Sequence, residues 1–251
     1  MSSKFSRLSR AAVILSASAL ALSACTGPSG SQEEGQSGDQ GGGSAVITLG
    51  TTDKVTSLDP AASYDNGSFM VMNQIYPFLL NNEPGSPDPV PAIAASADFT
   101  SPTEYTVKLK EGLKWANGHD LDSKDVKHSF DRQLKIADPN GPSSLLGNLD
   151  KVEAPDATTV VFTLKVPNDQ TFAQVLSSPV GPIVDDEVFP ADKVIDDKEI
   201  VDAKAFGGQY VIASYNKNTL VSLSKNDEYQ ACWVNRPTPR RPSSTTRTRT
   251  T

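Results

Sequence analysis

The sequence has few cysteines, few histidines and no long apolar segment, and each scarcity excludes a class of protein. Two cysteines among 251 residues are too few for a disulfide framework. His119 and His128 lie nine positions apart without a cysteine cluster, so their spacing does not predict a zinc site. The longest apolar stretch, residues 11–22, is too short to cross a bilayer core of about 30 Å. We therefore expect neither a disulfide-rich domain nor a zinc domain nor a membrane-spanning helix.

Basic charge and catalytic motifs are scarce as well. The formal net charge is −7, whereas a surface that binds nucleic acid needs a basic face. The sequence contains no Gly-x-Ser-x-Gly elbow, no Walker pattern and no dinucleotide-binding glycine pattern. The acid pairs at 185–186 and 196–197 are more typical of a solvated surface than of a catalytic dyad. We predict no catalytic residue, no metal site and no cofactor.

The first residues have the pattern of a signal peptide. Three basic residues precede the apolar stretch: Lys4, Arg7 and Arg10. The stretch ends in Leu-Ser-Ala-Cys at 22–25, which resembles a lipobox, where a lipid joins the cysteine thiol and cleavage leaves that cysteine first. The alternative is ordinary secretory cleavage nearby with a free Cys25. We predict a signal peptide over 1–24 and lipidation of Cys25, and stable anchoring then requires two or more acyl chains.

Residues 25–44 continue from that cysteine as a flexible linker. They are mostly Gly, Ser, Gln, Glu and Asp, with no aromatic and no branched aliphatic residue, so they cannot bury a core. A flexible coil of this length has a root-mean-square span of about 25 Å. Such a linker would hold a folded domain clear of the membrane headgroups.

The segment 104–134 has a clear periodic pattern. Every second residue in its first part is apolar: Tyr105, Val107 and Leu109. Gly112 interrupts this strand, and a second short apolar piece ends in the turn pair Asn-Gly at 117–118. A helix should then begin, capped by Asp122 or Ser123. Apolar residues recur there at every fourth position: Val126, Phe130 and Leu134. The pattern predicts a strand, a short strand and a helix joined by turns.

The same segment resembles a known family. Its run Tyr-Thr-Val-Lys-Leu-Lys-Glu-Gly-Leu-Lys-Trp-Ala-Asn-Gly at 105–118 is followed by Leu-Asp-Ser-Lys-Asp-Val at 121–126. Together these runs resemble the signature of the family 5 extracellular solute-binding proteins of peptide and nickel ABC importers. Lys110 and Lys124 replace an arginine and an alanine that are common in the family. The resemblance implies that this segment is scaffold and that the ligand is held elsewhere.

The resemblance also implies a fold of the α/β class. An α+β mixed sheet would form the first lobe of a periplasmic-binding-protein type II fold with two hinged lobes. Residues 45–230 would be the N-terminal portion of that solute-binding domain, and the resemblance implies that the second lobe would be missing from this sequence. Two later pieces continue the resemblance: a Pro-Asp turn at 155–156 before a β-prone strand at 158–164, and Gly-Gly-Gln-Tyr at 207–210. Gln209 stands where family members usually carry proline.

A loop near the start of the predicted domain carries the candidate ligand-binding residues. It follows a predicted short strand at 46–49 and contains Ser-Leu-Asp-Pro at 57–60, which also resembles the family. In that family, the loop after the first strand lines one wall of the ligand cleft. The candidates for this wall are Lys54, Val55, Thr56 and Ser57. The alternative is a plain surface loop.

The last 21 residues, 231–251, differ from the rest of the chain. They contain five arginines and no acid, a composition that predicts a disordered basic tail. Cys232 lies in this tail and Cys25 would be acylated, so no disulfide is expected. One interpretation is a tail for an anionic partner, and the other is an out-of-frame sequence that begins after Gln230. Without a second lobe, strands would keep open edges, and ligand binding would be weak or absent.

Two classes of function remain. The first is a lipid-anchored, monomeric receptor at the extracellular face of the cell membrane, or in the periplasm if the cell has an outer membrane. As the resemblance implies, it would bind peptides or related small solutes and deliver them to an ABC permease driven by a separate ATPase subunit. The second is a secreted lipoprotein enzyme, such as a cell-surface hydrolase, which would need a nucleophile beside a base. Because the sequence offers no such pair, we prefer the receptor and expect no nucleic-acid partner.

Overall fold

The computed structural model describes residues 46–217 and 219–229. Three predicted segments lie outside these residues: the signal peptide 1–24, the linker 25–44 with Cys25, and the tail 231–251. Contacts divide the chain between Thr48 and Leu49, and the elements described below belong to the second unit. None of the described helices has the length and apolar character needed to cross a membrane.

Helices and antiparallel sheets make up the two described ranges. The helices are α1 (Asn66–Ile75), α2 (Ser123–Ile136), α3 (Phe172–Leu176) and α4 (Asp197–Ala203), with a 3₁₀ turn at Ser143–Leu146. The strands are β1 (Leu80–Asn82), β2 (Pro89–Pro91), β3 (Ala94–Ser101), β4 (Glu104–Leu109), β5 (Leu149–Asp156), β6 (Thr159–Leu164), β7 (Tyr210–Asn216) and β8 (Leu220–Lys225). They pair as β1-β2, β3-β4-β6-β5 and β7-β8, and every pair is antiparallel.

The four-stranded sheet explains the alternation in the segment 104–109. Tyr105 and Val107 of β4 are buried and lie opposite Phe162 and Val160 of β6. Helix α2 packs against the sheet, and the rings of Phe130 and Phe162 meet edge to face with centroids 5.0 Å apart. The apolar residues of strand and helix therefore share one core, and burial of their side chains stabilises both elements.

Helix α2 begins as predicted. Asp122 is its N-cap and accepts a hydrogen bond from the Lys124 N–H at 2.7 Å, while Asp125 accepts one from the Asp122 N–H at 2.9 Å. The Asp122 side chain also accepts a hydrogen bond from the Asp125 N–H, and this reciprocal pairing of residues 122 and 125 is a capping box. The last member of the predicted stripe, Leu134, is 38% exposed. Positions four apart drift by about 40° around a helix, so the stripe leaves the core after two turns.

Three predicted boundaries change in the structure. Strand β5 continues through the predicted Pro-Asp turn to Asp156, and the turn lies at 157–158. The spacing of apolar residues predicts a helix over 67–80, interrupted by Pro77. Helix α1 instead ends at Ile75, because Pro77 has no N–H to donate and its ring clashes with the preceding turn. The short strand predicted at 113–115 is only a bridge between Lys114 and Asp120. The Asn-Gly turn between them has the expected geometry, with φ of 98° at its glycine.

The prediction of a strand at 46–49 is wrong. These residues form no strand, and the side chains of Val46, Ile47 and Leu49 are 89%, 90% and 73% exposed. An extended segment becomes a strand only when a neighbour completes its ladder of hydrogen bonds, and none pairs with it in the described part of the chain.

A second hydrophobic cluster lies around α1, α4 and the β7-β8 hairpin. Its fully buried members include Leu58, Met72, Phe189 and Phe206. Tyr76, just after α1, is buried among them, and its hydroxyl donates to the Leu58 carbonyl at 2.9 Å. This cluster lies beneath the loop that leads into α1, so the candidate ligand wall rests on a packed core.

Candidate functional site

The four candidate residues lie on the loop that precedes α1. Lys54 and Thr56 are exposed, Ser57 is half-buried, and Val55 is buried with its side chain in the second cluster. The side chains thus alternate between solvent and core. The structure brings the four residues together on one segment, and Val55 supports that segment from below.

The first turn of α1 holds one side of the loop. Asp65 caps the helix by accepting the Ser68 N–H at 2.8 Å, and it also accepts the Thr56 hydroxyl. The Ser68 hydroxyl in turn accepts the Thr56 N–H at 2.9 Å. Gly67 allows the close approach, because a Cβ there would lie 2.6 Å from the carbonyl carbon of Lys54 and closer still to its oxygen. The same short sequence therefore starts the helix and fastens the loop.

The opposite side of the loop is held by α4 and the end of β7. The carboxylate of Asp197 accepts the Leu58 N–H at 2.8 Å. The ammonium of Lys217 donates to the Thr56 carbonyl at 2.7 Å and lies 2.9 Å from Asp197. The loop backbone is therefore held by α1 on one side and by Asp197 and Lys217 on the other, and Asp197 is 139 positions from its loop partner Leu58.

These contacts decide what the loop offers to a ligand. The N–H, carbonyl and hydroxyl of Thr56 are all engaged within the protein. The Ser57 hydroxyl accepts the Asp59 N–H at 3.0 Å. Among the described residues, none binds the exposed ammonium of Lys54. Lys54 therefore offers an exposed side chain that a solute can bind without breaking an internal contact.

A second polar cluster lies where α2 begins. Asp185 is 1% exposed, accepts the Asn117 amide at 2.8 Å and lies 2.8 Å from Nδ1 of His119. The hydrogen bond with Asp185 raises the pKa of His119. The prediction of a solvated surface is thus wrong for Asp185 and also for Asp197, which is buried. The acid beside each of them, Asp186 or Asp196, is exposed.

Carboxylate oxygens of Asp125, Asp185 and Asp186 lie within 4.8 Å of one another. Asp125 accepts the backbone N–H groups of Asp122 and Asp186 at 2.9 and 3.0 Å. Burial raises the pKa of Asp125 to about 7, although these two hydrogen bonds act in the opposite direction. Oxygen donors could hold a hard cation. Because the two buried carboxylates already serve internal donors, the cluster fastens the segment 185–187 to α2.

Sequence spacing gave no signal for this cluster. His119 and Asp185 are 66 positions apart, and Asp125 and Asp186 are 61 apart. Neither pair falls within one helix or one turn. Only the packing of the segment after residue 183 against the start of α2 brings them together.

The sequence profile of the bacterial extracellular solute-binding proteins, family 5 (middle region), matches residues 88–243. The match covers more than half of the chain and includes the segment 104–134. The chain belongs to this family. The match continues past Gln230, farther than the resemblance drawn from the sequence alone.

Curated relatives agree with this assignment. The probable D,D-dipeptide-binding periplasmic protein DdpA of Escherichia coli (strain K12) is 28% identical over 190 residues, which are 73% of this chain and 36% of DdpA. The glutathione-binding protein GsiB of Pectobacterium atrosepticum is 31% identical over 186 residues, 74% of this chain and 35% of GsiB. The family 5 chain therefore spans about a third of the length of these relatives.

Solved structures confirm the fold class. The Escherichia coli murein tripeptide binding protein MppA superposes with a TM-score of 0.62 at 20% identity, over 71% of this chain and 38% of MppA. At that identity the likeness shows the fold alone. The family 5 chain thus has the predicted α/β architecture, that of part of a periplasmic-binding-protein type II fold.

Proposed function

We propose that this family 5 chain is the solute-binding component of an ABC importer, which captures peptides or related small solutes outside the cell and delivers them to a permease. The observation that carries the proposal is the family match over residues 88–243. The names of DdpA and GsiB specify a D,D-dipeptide and glutathione as ligands of those proteins. Both are short peptide-like compounds with a free carboxylate, so we take this class as the solute here.

The loop before α1 supplies one wall of the proposed binding site. Its backbone is held on both sides, which lowers the entropy that a ligand must remove on binding. The exposed ammonium of Lys54 has the charge that attracts a peptide carboxylate. The described residues contribute this one wall, which leaves much of a small ligand in water, so we expect weak binding by this chain.

Nuclear magnetic resonance tests this function directly. The full chain is titrated with three separate probes at up to millimolar concentration: glutathione, D-alanyl-D-alanine and trialanine. We expect saturable shifts of the 54–57 amides with at least one probe, and a loss of these shifts in Lys54→Ala. Lys151→Ala, a substitution at an exposed lysine of the edge strand β5, is the matched control. If none of the three probes shifts the 54–57 amides, the proposal is wrong.

The same samples separate the receptor from the competing enzyme. A receptor leaves its solute chemically unchanged, so each peptide should be recovered intact after prolonged incubation. Release of amino acids from any probe would favour the secreted hydrolase.

We also propose that a lipid on Cys25 anchors the protein to the outer face of the cell membrane, as a monomer. The apolar stretch and the Leu-Ser-Ala-Cys sequence support this, although Cys25 lies outside the described residues. We expect the full chain to fractionate with membranes and Cys25→Ser to be released from them. Equal membrane association of both forms would contradict the anchor.

A further inference from the structure

Asp197 connects three parts of the chain beside the candidate ligand wall. Its Oδ1 accepts the Leu58 N–H at 2.8 Å, and its Oδ2 accepts the Tyr215 hydroxyl at 2.8 Å. The ammonium of Lys217 lies 2.9 Å from the same Oδ2 and also donates to the Thr56 carbonyl at 2.7 Å. One buried carboxylate therefore joins the loop, α4 and the end of β7.

The surroundings keep this carboxylate ionised. Burial alone would raise the pKa of Asp197, but hydrogen bonds from Lys217, Leu58 and Tyr215 outweigh burial and hold the pKa below its usual value. Burial and the bond to Asp197 raise the pKa of Tyr215, so its hydroxyl remains a donor. Hydrogen bonds to an ionised acceptor are stronger than neutral ones. The contact is therefore a firm attachment for the loop.

We propose that Asp197 is a positioning residue that sets the backbone of the ligand wall through the Leu58 N–H and, by way of Lys217, through the Thr56 carbonyl. This inference rests on the proposed function of the loop. Ser68 and Asp65 already hold Thr56 from the side of α1. Asp197 supplies the second attachment, so the orientation of Lys54 is set before a solute arrives.

The test uses the full chain and four variants. Asp197→Ala removes the acceptor, and Lys217→Met removes the link to Thr56 at a half-exposed position where misfolding is not expected. Lys217→Arg restores a donor of similar reach. Ile200→Val is the matched control, because Ile200 is buried in the same helix and contacts neither the loop nor Lys217 by a hydrogen bond. Global stability is measured for each variant, and amide hydrogen exchange is followed at Leu58.

Loss of the attachment should open the loop locally. We expect Asp197→Ala to raise the exchange rate at Leu58 by about tenfold or more beyond the change seen in Ile200→Val, after correction for global stability. Lys217→Met should raise the rate less, and Lys217→Arg should return it toward the native value. Equal rates in Asp197→Ala and Ile200→Val, or no difference between the two Lys217 variants, would overturn the proposal.

A ligand measurement separates this inference from the proposed function. With glutathione as the probe, Asp197→Ala should weaken the saturable shift at Lys54 by about tenfold relative to Ile200→Val. Unchanged affinity in Asp197→Ala would show that the contact is structural only. If native protein responds to none of the three probes, the proposed function fails, and the exchange at Leu58 still decides whether Asp197 positions the loop.

Discussion

Asp59 and Arg132 form a buried bidentate ion pair that joins the candidate ligand loop to α2. The two guanidinium nitrogens lie 2.7 and 2.6 Å from the two carboxylate oxygens, and neither side chain is more than 2% exposed. The Ile195 N–H donates to Asp59 at 3.0 Å, and Arg132 donates to the carbonyls of Pro190 and Lys193 at 2.8 and 2.7 Å. These further bonds help to offset the cost of burying both charges.

Removal of one partner should strongly destabilise the fold. Arg132→Met leaves the Asp59 carboxylate buried without its counter-ion, and we expect the free energy of unfolding to fall by about 3–5 kcal/mol. Urea denaturation measures the change. The double variant Asp59→Asn with Arg132→Met should recover part of the loss, because it no longer buries an unpaired charge.

An exposed ion pair provides the control for this prediction. Lys198 and Asp202 pair one turn apart on the surface of α4. Lys198→Met should leave the urea midpoint unchanged within error, because solvent screens such pairs. Equal loss of stability in Lys198→Met and Arg132→Met would show that burial is not what makes the Asp59 pair important.

Stability should decrease as pH rises through neutrality. The pKa of Asp125 is raised to about 7 in the folded chain by burial, and the pKa of His119 is raised by the bond to Asp185. For both groups the folded state therefore binds protons that the unfolded state releases, so the free energy of unfolding falls with increasing pH. We expect a loss on the order of 1 kcal/mol or more between pH 5.5 and 8.

Thermal unfolding at the two pH values measures this effect. Asp125→Asn and His119→Gln should each reduce the difference between pH 5.5 and pH 8. Carboxyls with a lowered pKa do not interfere, since Asp156, for example, titrates at about 2 and is ionised throughout this window. A native protein that gains stability from pH 5.5 to 8, with the same gain in both variants, would contradict the assignment.

A methyl group at Gly67 should displace the candidate ligand wall. The Cβ of Gly67→Ala would overlap the carbonyl group of Lys54, and backbone atoms must move to relieve the contact. We expect a loss of about 1–3 kcal/mol in the free energy of unfolding and altered amide shifts at 54–57. Gly50→Ala is the control, because its Cβ would meet no atom within 4 Å. Unchanged shifts in Gly67→Ala would contradict the packing of the loop on α1.

Phe162 should carry much of the stability of the four-stranded sheet. It is fully buried, and its ring lies 5.0 Å from that of Phe130 and 5.5 Å from that of Phe172. Phe162→Ala should lower the free energy of unfolding by about 3–5 kcal/mol, as measured in urea. Phe99→Ala, at a 40% exposed ring on the edge strand β3, should cost clearly less. Similar losses at both positions would indicate that the sheet and α2 do not form one core.

Local sequence patterns predicted the elements whose formation depends on residues that are close together in the sequence. The alternation of Tyr105 and Val107, the cap at Asp122 and the β-prone run before Leu164 all depend on residues within a few positions. The strand predicted at 46–49 failed for the opposite reason. A strand exists only through hydrogen bonds to a second segment, and the residues at 46–49 do not reveal whether such a segment pairs with them.

The sequence also predicted only part of the candidate site: it located the loop but not the contacts that hold it. Residues 54–57 were located from the motif that follows them, and their place in a ligand wall stays a prediction. The support of this loop by Asp197 is not visible in the sequence, because the acid pair at 196–197 has the pattern of solvated surface. The sequence does not distinguish a buried acid from an exposed acid beside it. Which of the two is buried depends on the strand or helix that packs against them.

The sequence by itself determined the family, the strand at 104–109, the start of α2 and the strand that ends at Leu164, and it located the candidate loop before α1. These follow from hydrophobic period, caps and turn residues, which act over a few positions. Only the tertiary structure decided that Thr56 is fully engaged, that Lys54 is available, and that Asp197 and Arg132 hold the loop. The contacts of Arg132 with Asp59 and of Asp197 with Leu58 join residues 73 and 139 positions apart, and their free energy depends on burial and geometry that exist only after the chain has packed.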